Sequence, residues 1–290
     1  MKITFQKLLI GASIAIGVSA LATVPAQAGT LTGATIGGTA ASDYLVYDSN
    51  ATNTFTVANT SENVQKVISG NAASPTGNVE LAASSEQAGF DFTKNTTLTG
   101  TIGGKTLTLS SLTSDDWFGV GQTTTTYGLN NLANIWFNQA LSSNSTLLAT
   151  FNSSKETLFN SFLINGGFQR FSDPNISYVN QDDTSGLISI GLAGHLNAAP
   201  LLGLSSSVFK LQASEIVKYT YDGKTDYLYS FKATESGLLE LSDGISHSGN
   251  YEVTIKGVPP AAVPEPSVML GLLGVAGVFA TQRKFKKASI

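Results

Sequence analysis

Thr97-Leu98-Thr99-Gly100-Thr101-Ile102-Gly103-Gly104-Lys105-Thr106-Leu107-Thr108-Leu109 alternates apolar and hydroxyl residues on both sides of a Gly-Gly pair. A period of two is the pattern of a half-buried strand, and Gly-Gly between two such runs suits a two-residue hairpin turn. Pairing across that turn sets Leu98 opposite Leu109 and Thr99 opposite Thr108. One face then carries Leu98, Ile102, Leu107 and Leu109, and the other is nearly all threonine. Register and hydrophobic pattern agree, which predicts an antiparallel sheet with one face in a core. A close copy, Thr30-Leu31-Thr32-Gly33-Ala34-Thr35-Ile36-Gly37-Gly38-Thr39, stands upstream, but the flanks of the two copies do not match.

Outward from the hairpin, Tyr44–Tyr47 and Thr52–Val57 read as strands before it. After it come Asn175–Val179, Gly186–Gly191, Val208–Leu211, Ile216–Tyr221, Tyr227–Ala233, Gly237–Leu241 and Tyr251–Lys256. Between these two groups the apolar period changes to that of a helix. Leu129, Leu132, Ala133, Trp136, Phe137 and Ala140 predict an amphipathic helix over 129–141. Ser153-Ser154-Lys155-Glu156 reads as a capping box for a second helix, with Leu158, Phe159, Phe162 and Leu163 behind it and a stop at Asn165-Gly166-Gly167. The expectation is a mainly β, α+β body over 29–260, built on antiparallel sheet around two central amphipathic helices.

Both ends of the chain differ from this body. Met1–Ala28 has the form of a secretory signal peptide: Lys2 and Lys7, an apolar run from Leu8 to Ala22, and the cleavage box Ala26-Gln27-Ala28. Cleavage after Ala28 would leave Gly29 first. At the other end, Val263-Pro264-Glu265-Pro266 precedes an apolar stretch, Ser267–Thr281, and a basic cluster of Arg283, Lys284, Lys286 and Lys287. As a helix, residues 267–281 would cover about 22 Å. A relaxed span needs roughly 20 residues over about 30 Å, so this is a short membrane helix. The basic cluster would stay cytoplasmic and leave everything before Pro264 outside.

This tail resembles the PEP-CTERM sorting signal in residues 261–290. Pro264, Glu265 and Pro266 match its motif, 267–281 its membrane segment, and Arg283–Lys287 its basic end. The resemblance implies that an exosortase, a membrane enzyme of the bacterial cell surface, recognises and processes the tail. The alternative is a plain C-terminal anchor. The run Asp173-Pro174-Asn175-Ile176-Ser177-Tyr178-Val179-Asn180-Gln181-Asp182-Asp183, with Gly191-Leu192-Ala193-Gly194-His195 after it, is similar to one in some PEP-CTERM proteins and carries no activity with it.

Composition narrows the function. Residues 29–266 hold ten basic and twenty acidic residues, about −10 in charge, against −4 for the whole chain. Such a body has no electrostatic footprint for nucleic acid. Cysteine is absent, so there are neither disulfides nor thiolate metal sites, and the only histidines are His195 and His247. The adjacent pairs Asp115-Asp116 and Asp182-Asp183, read on strands, point to opposite faces and do not form an acid–base pair by themselves. Asp173, Asn180, Asp182 and Asp183 have the oxygen chemistry of calcium ligands, though a solvated turn accounts for them better. Neither a nucleophile elbow nor a phosphate loop, dinucleotide fingerprint or zinc motif occurs.

Tyr219, Tyr221, Tyr227 and Tyr229 flank Asp222-Gly223-Lys224. A two-residue Asp-Gly turn would oppose Tyr219 to Asp226. An odd-numbered loop centred on Gly223 opposes Tyr219 to Tyr227 and gathers three tyrosines on one face, as a core wall or a sugar-stacking platform. The second register is the expectation. Taken together, these features predict an exported, non-enzymatic surface or matrix protein. It would exist as a membrane-anchored precursor, held in the inner membrane by its C-terminal helix, and then at the cell surface or outside. The exosortase and the cell's exopolysaccharide are its expected partners, with no catalytic, cofactor or metal residues. A secreted polysaccharide or peptide hydrolase with the same tail is the alternative, and a facing carboxylate pair in a cleft would revive it.

Overall fold

The computed structural model describes residues 29–144, 154–199 and 210–259. The chain opens with β1 (Gly29–Thr30), β2 (Thr32–Gly38), β3 (Tyr44–Ser49), β4 (Asn53–Val57), α1 (Ser61–Val67) and β5 (Gly77–Leu81). The hairpin β6 (Thr96–Ile102) and β7 (Lys105–Ser110) follows, then α2 (Ser114–Phe118), α3 (Leu132–Ser143), α4 (Lys155–Ile164) and α5 (Gly167–Arg170). The rest is β8 (Asn175–Gln181), β9 (Leu187–Gly194), β10 (Val217–Tyr221), β11 (Lys224–Leu228), β12 (Thr234–Glu235), β13 (Leu239–Glu240) and β14 (Gly249–Lys256). Strand outweighs helix, so the body is mainly β. Among the described residues no helix is long and apolar enough to cross a membrane. The signal-peptide residues, the Pro-Glu-Pro box, the 267–281 segment and the basic cluster all lie outside the described residues.

Two sheets share one core. The larger has nine strands in the order β12-β14-β9-β8-β5-β3-β4-β13, with β1 also beside β8; the smaller runs β11-β10-β7-β6-β2. All pairs are antiparallel except β13 with β4. Val46, Val79, Leu81, Ile176, Ile190 and Val253 from the large sheet meet Leu98, Ile102, Leu107, Leu109, Val217 and Tyr221 from the small one. The opening hairpin has the expected register, with Leu98 opposite Leu109 and Thr99 opposite Thr108. Gly103 and Gly104 have φ of 57° and 74°, the left-handed pair that a type I′ turn requires. The two similar stretches pair with each other, Thr35 against Thr99 and Ile36 against Leu98.

That pairing extends the threonine face. Thr35, Thr99, Thr108, Thr220 and Thr225 stand in register across all five strands of the small sheet. Their hydroxyls meet across strands, Thr99 to Thr108 at 3.0 Å and Thr220 to Thr225 at 2.8 Å. β-branched residues suit a pleated, half-exposed surface, and these cover one side of the sandwich with hydroxyl groups.

A second core is aromatic. Trp117, Trp136, Phe137, Phe159, Phe168 and Phe171 pack α2 to α5 together, with Tyr227, Tyr229 and Phe231 against them. Trp117 and Trp136 meet edge to face at 5.7 Å, and Trp117 Nε1 donates to Ser172 Oγ at 2.7 Å.

Several expectations are corrected. The helices number five among the described residues, and three of them are too short for a periodic pattern to betray them. The first long helix begins at Leu132 rather than Leu129, because Asn131 is its N-cap and accepts from the Asn134 amide. Leu129 is left exposed. Ser154 caps α4 through the Thr157 amide, and Ser153, the first residue of the expected box, lies outside the described residues. The capping box that does form is Thr113 with Asp116 on α2. In the tyrosine hairpin the two-residue turn wins: Tyr219 opposes Asp226, and Lys218 opposes Tyr227. Asp222 and Gly223 take φ of 48° and 77°, again the type I′ pair. The strand expected at Tyr227–Ala233 is instead Lys224–Leu228, while Lys210 and Leu211, the described part of Val208–Leu211, are not strand.

Alternation along β7 gives a direct check. Leu109→Ala opens a cavity between the sheets and is expected to cost about 2–5 kcal/mol. Thr108→Ala, one residue away on the wet face, should cost about 1 kcal/mol or less. Urea unfolding of the two variants measures both, and equal losses would contradict the sandwich.

Candidate functional site

Val79 and Leu81 of β5 belong to the sandwich core. Alternation therefore sends Glu80 to the opposite face of the large sheet. Its strand neighbours Leu45 and Asn175 lie on either side of it, and Tyr47 of β3 reaches it from two residues along. The Tyr47 hydroxyl donates to Glu80 Oε2 at 3.1 Å. This polar strip is roofed by the turn after β5, by α5, by the segment before β10 and by the loop leading into β14. Between strip and roof lies a pocket of about 310 Å³.

Carboxyl groups line it from separate parts of the chain: Glu80, Glu86, Asp173, Glu215, Glu240 and Asp243. Arg170 is the one Lys or Arg among the described lining residues, and it is engaged with Glu86 at 3.1 Å. Glu215 accepts from the Asn175 backbone amide at 3.1 Å and from its Nδ2 at 3.3 Å. Asp173 Oδ2 accepts from Ser85 Oγ. Two oxygens are left over: Asp173 Oδ1 and Asn175 Oδ1 are buried without a hydrogen-bond partner among the described residues.

Burial raises Glu80, Glu215 and Asp173. It pushes Glu80 up to about 7, against the pull of the Tyr47 hydrogen bond. It pushes Glu215 up to about 8 in spite of the Asn175 donors. Asp173 is raised well above the aspartate range by burial first, and then by the charges of Glu215 and Glu80. Burial likewise holds Tyr47 neutral far above the usual phenol range. Asp243 is the exception: burial opposes ionisation, but the Ile245 and Ser246 amides and the Ser246 hydroxyl hold it low.

Both histidines of the chain reach this pocket, from positions far apart in sequence. His247 has φ of 61° in the turn before β14. Its Nδ1 lies 2.7 Å from Thr54 Oγ1, its ring meets Tyr47 edge-on at 4.7 Å, and burial pulls it down to about 4. His195, at the end of β9, stands with Nε2 3.4 Å from Ser246 Oγ and is also lowered by burial. Ser246, His195 and Asp243 do not form a nucleophilic triad. The Ser246 hydroxyl donates to Asp243 rather than to the imidazole, and the aspartate does not orient the ring.

The residues singled out in the sequence fall elsewhere or play other parts. Asp173 is in the pocket, but Asn180 and Asp182 lie at the far end of β8, about 20 Å along a strand. Asp182 Oδ1 holds its own turn through the Thr184 and Ser185 amides. The four proposed calcium ligands therefore never converge, and the described residues contain no group of three or more acids or histidines placed for a metal ion. Asp115 and Asp116 sit on a helix, not a strand. Asp116 ties α2 to the tyrosine hairpin by accepting from Lys218 Nζ at 2.7 Å and Tyr227 Oη at 2.9 Å. The tyrosines form no platform, because Tyr219 and Tyr221 turn to the sandwich core and Tyr227 and Tyr229 to the aromatic one.

No protein-family model, curated protein or solved structure matches the chain. What the arrangement can do is read from its chemistry alone. It encloses carboxyl groups that burial raises toward neutral pH, beside aromatic rings and unused acceptors.

That state has a pH signature. A carboxyl raised in the fold adds stability that is full below its unfolded value, about 4.3 for glutamate, and is lost as pH rises through its folded value. Histidines depressed in the fold act oppositely, but only below about 6.5. Between pH 6.5 and 9 the carboxyls therefore act alone. The melting temperature should fall by about 5 °C or more across that window. Glu215→Gln should flatten the fall, and a wild-type melting temperature constant from 6.5 to 9 would contradict the raised values.

Proposed function

We propose that the chain is an exported surface protein, processed at its tail by an exosortase, whose body binds a saccharide unit of the cell's exopolysaccharide in the acid-lined pocket. The observation that carries the binding role is the pocket floor: uncommitted acceptors beside carboxyl groups, with Phe162, Phe171 and Tyr47 also lining the space. Aromatic faces with converging polar groups suit a sugar ring.

The tail supports the sorting role through its own residues. The Pro-Glu-Pro box, the short apolar stretch and the basic end stand in the order that a membrane-edge processing enzyme requires. Gly29, the first residue after the signal box, pairs with Gln181 in β1–β8, and the Gln181 side chain donates to Val258 O at 2.8 Å. One residue thus holds both ends of the body.

A second reading, a secreted polysaccharide hydrolase, is favoured by one observation. Glu80, raised to about 7, has the protonation that a general acid uses near neutral pH. It predicts release of reducing ends from the polysaccharide that Glu80→Gln abolishes.

Intact mass of protein recovered from its own cells tests the sorting role. The mature chain should begin at Gly29 and lack Arg283–Lys287. Changing Pro264, Glu265 and Pro266 together to alanine should block this trimming while export continues, so the full-length chain minus its signal peptide accumulates in the membrane. Retention of the basic end in wild-type protein would leave a plain anchor.

A further inference from the structure

Asp173 and Asn175 are each 6% exposed, and both line the pocket. Their other polar atoms are committed. Asp173 Oδ2 takes the Ser85 hydroxyl, and Asn175 Nδ2 donates to Glu215 Oε2 at 3.3 Å and to the Asp173 carbonyl at 3.5 Å. Turning the amide over would set its oxygen against the Asp173 carbonyl, which only accepts, so the network fixes which atom is left. Asn175 Oδ1 is an acceptor, and Asp173 Oδ1 becomes one once that carboxyl gives up its proton. What completes them is a donor.

The charge of the lining restricts that donor further. Six acidic residues face the space against Arg170, which is already paired with Glu86. A neutral hydroxyl would satisfy Asn175 Oδ1 and leave the buried carboxyl groups protonated, whereas a cation lets one of them ionise. A bare metal ion finds no converging ligand set among the described residues. An ammonium group supplies three N–H donors together with the compensating charge. Buried carboxylates are costly until something neutralises them, so the site discriminates by charge as well as by hydrogen bonding.

The remaining walls describe what carries the ammonium. Phe162, Phe171 and Tyr47 line the space with aromatic carbon, and Ser242, His195 and Ser246 line it with polar side chains. A space of about 310 Å³ is at the small end of ligand sites, which run from about 300 to 1,000 Å³. We propose that the pocket binds the primary ammonium of an amino sugar unit, with that group seated between Asp173 Oδ1 and Asn175 Oδ1. The proposal rests on the saccharide-binding reading of the same pocket and narrows it to a basic, non-acetylated sugar.

Isothermal titration of the full chain in detergent with glucosamine, N-acetylglucosamine, glucose and lysine amide separates the outcomes. Glucosamine should bind at least tenfold more tightly than the other three, and Asp173→Asn should remove that preference with the melting transition retained. The comparison between glucosamine and its acetylated form needs only the wild-type protein, so a variant that fails to fold does not spoil the test. Equal binding of glucose or N-acetylglucosamine would overturn the ammonium and leave the saccharide reading standing. Equal binding of lysine amide would overturn the sugar as its carrier. No binding by any sugar would remove both.

Discussion

Glu80 stands between two residues locked into the sandwich core, and its strand has no freedom to bring the carboxyl anywhere but the far face of the nine-stranded sheet. Had that face met water, the residue would be one more solvated acid in an acidic protein. Instead the chain folds a second layer over it, and an enclosed carboxyl must either find donors or keep its proton. Tyr47 supplies one donor to Glu80. The supply runs out for one oxygen each of Asp173 and Asn175, two residues that line the pocket.

The rest of the architecture serves to hold this layer in place. The small sheet fills the opposite face of the large one with Leu98, Leu107 and Leu109, which fixes the alternation that aims Glu80 outward. The aromatic core anchors α4 and α5, which carry Phe162 and Arg170 to the pocket. Asp116 then links the helical layer to β10 and β11 through Lys218 and Tyr227. The turn before β14 contributes His247, whose positive φ and buried contact with Thr54 close the other side.

Much of the sandwich could be read from residues because local and non-local signals coincided. At 97–109 the turn pair, the period of two and the cross-strand partners all named one register. At 217–229 they disagreed: clustering of tyrosines favoured an odd loop, while Asp-Gly favoured two residues. Turn chemistry prevailed because each tyrosine pair found a different core, so nothing was gained by gathering them. β5 escaped notice since Gly77-Asn78-Val79-Glu80-Leu81 is short and carries a charge at its centre. The pocket was illegible for a different reason. Its acids come from segments scattered between Glu80 and Asp243, with no motif spacing to join them. Asp173 drew attention as an oxygen ligand, but the company assigned to it lay at the wrong end of its strand. Glu215 beside the apolar pair Ile216-Val217 was the one local hint, and a lone acid there is a weak one.

The central claim is that burial raises the carboxyl groups of this pocket toward neutral pH by removing them from water, beyond what their hydrogen-bond donors offset. Site-resolved carbon-13 NMR titration of the side-chain carboxyls of Glu80, Asp173 and Glu215 measures this directly. The account predicts midpoints of about 7 for Glu80 and about 8 for Glu215, with Asp173 also well above the ordinary aspartate range. Midpoints at the solvent-exposed values, near 4 for all three, would contradict it.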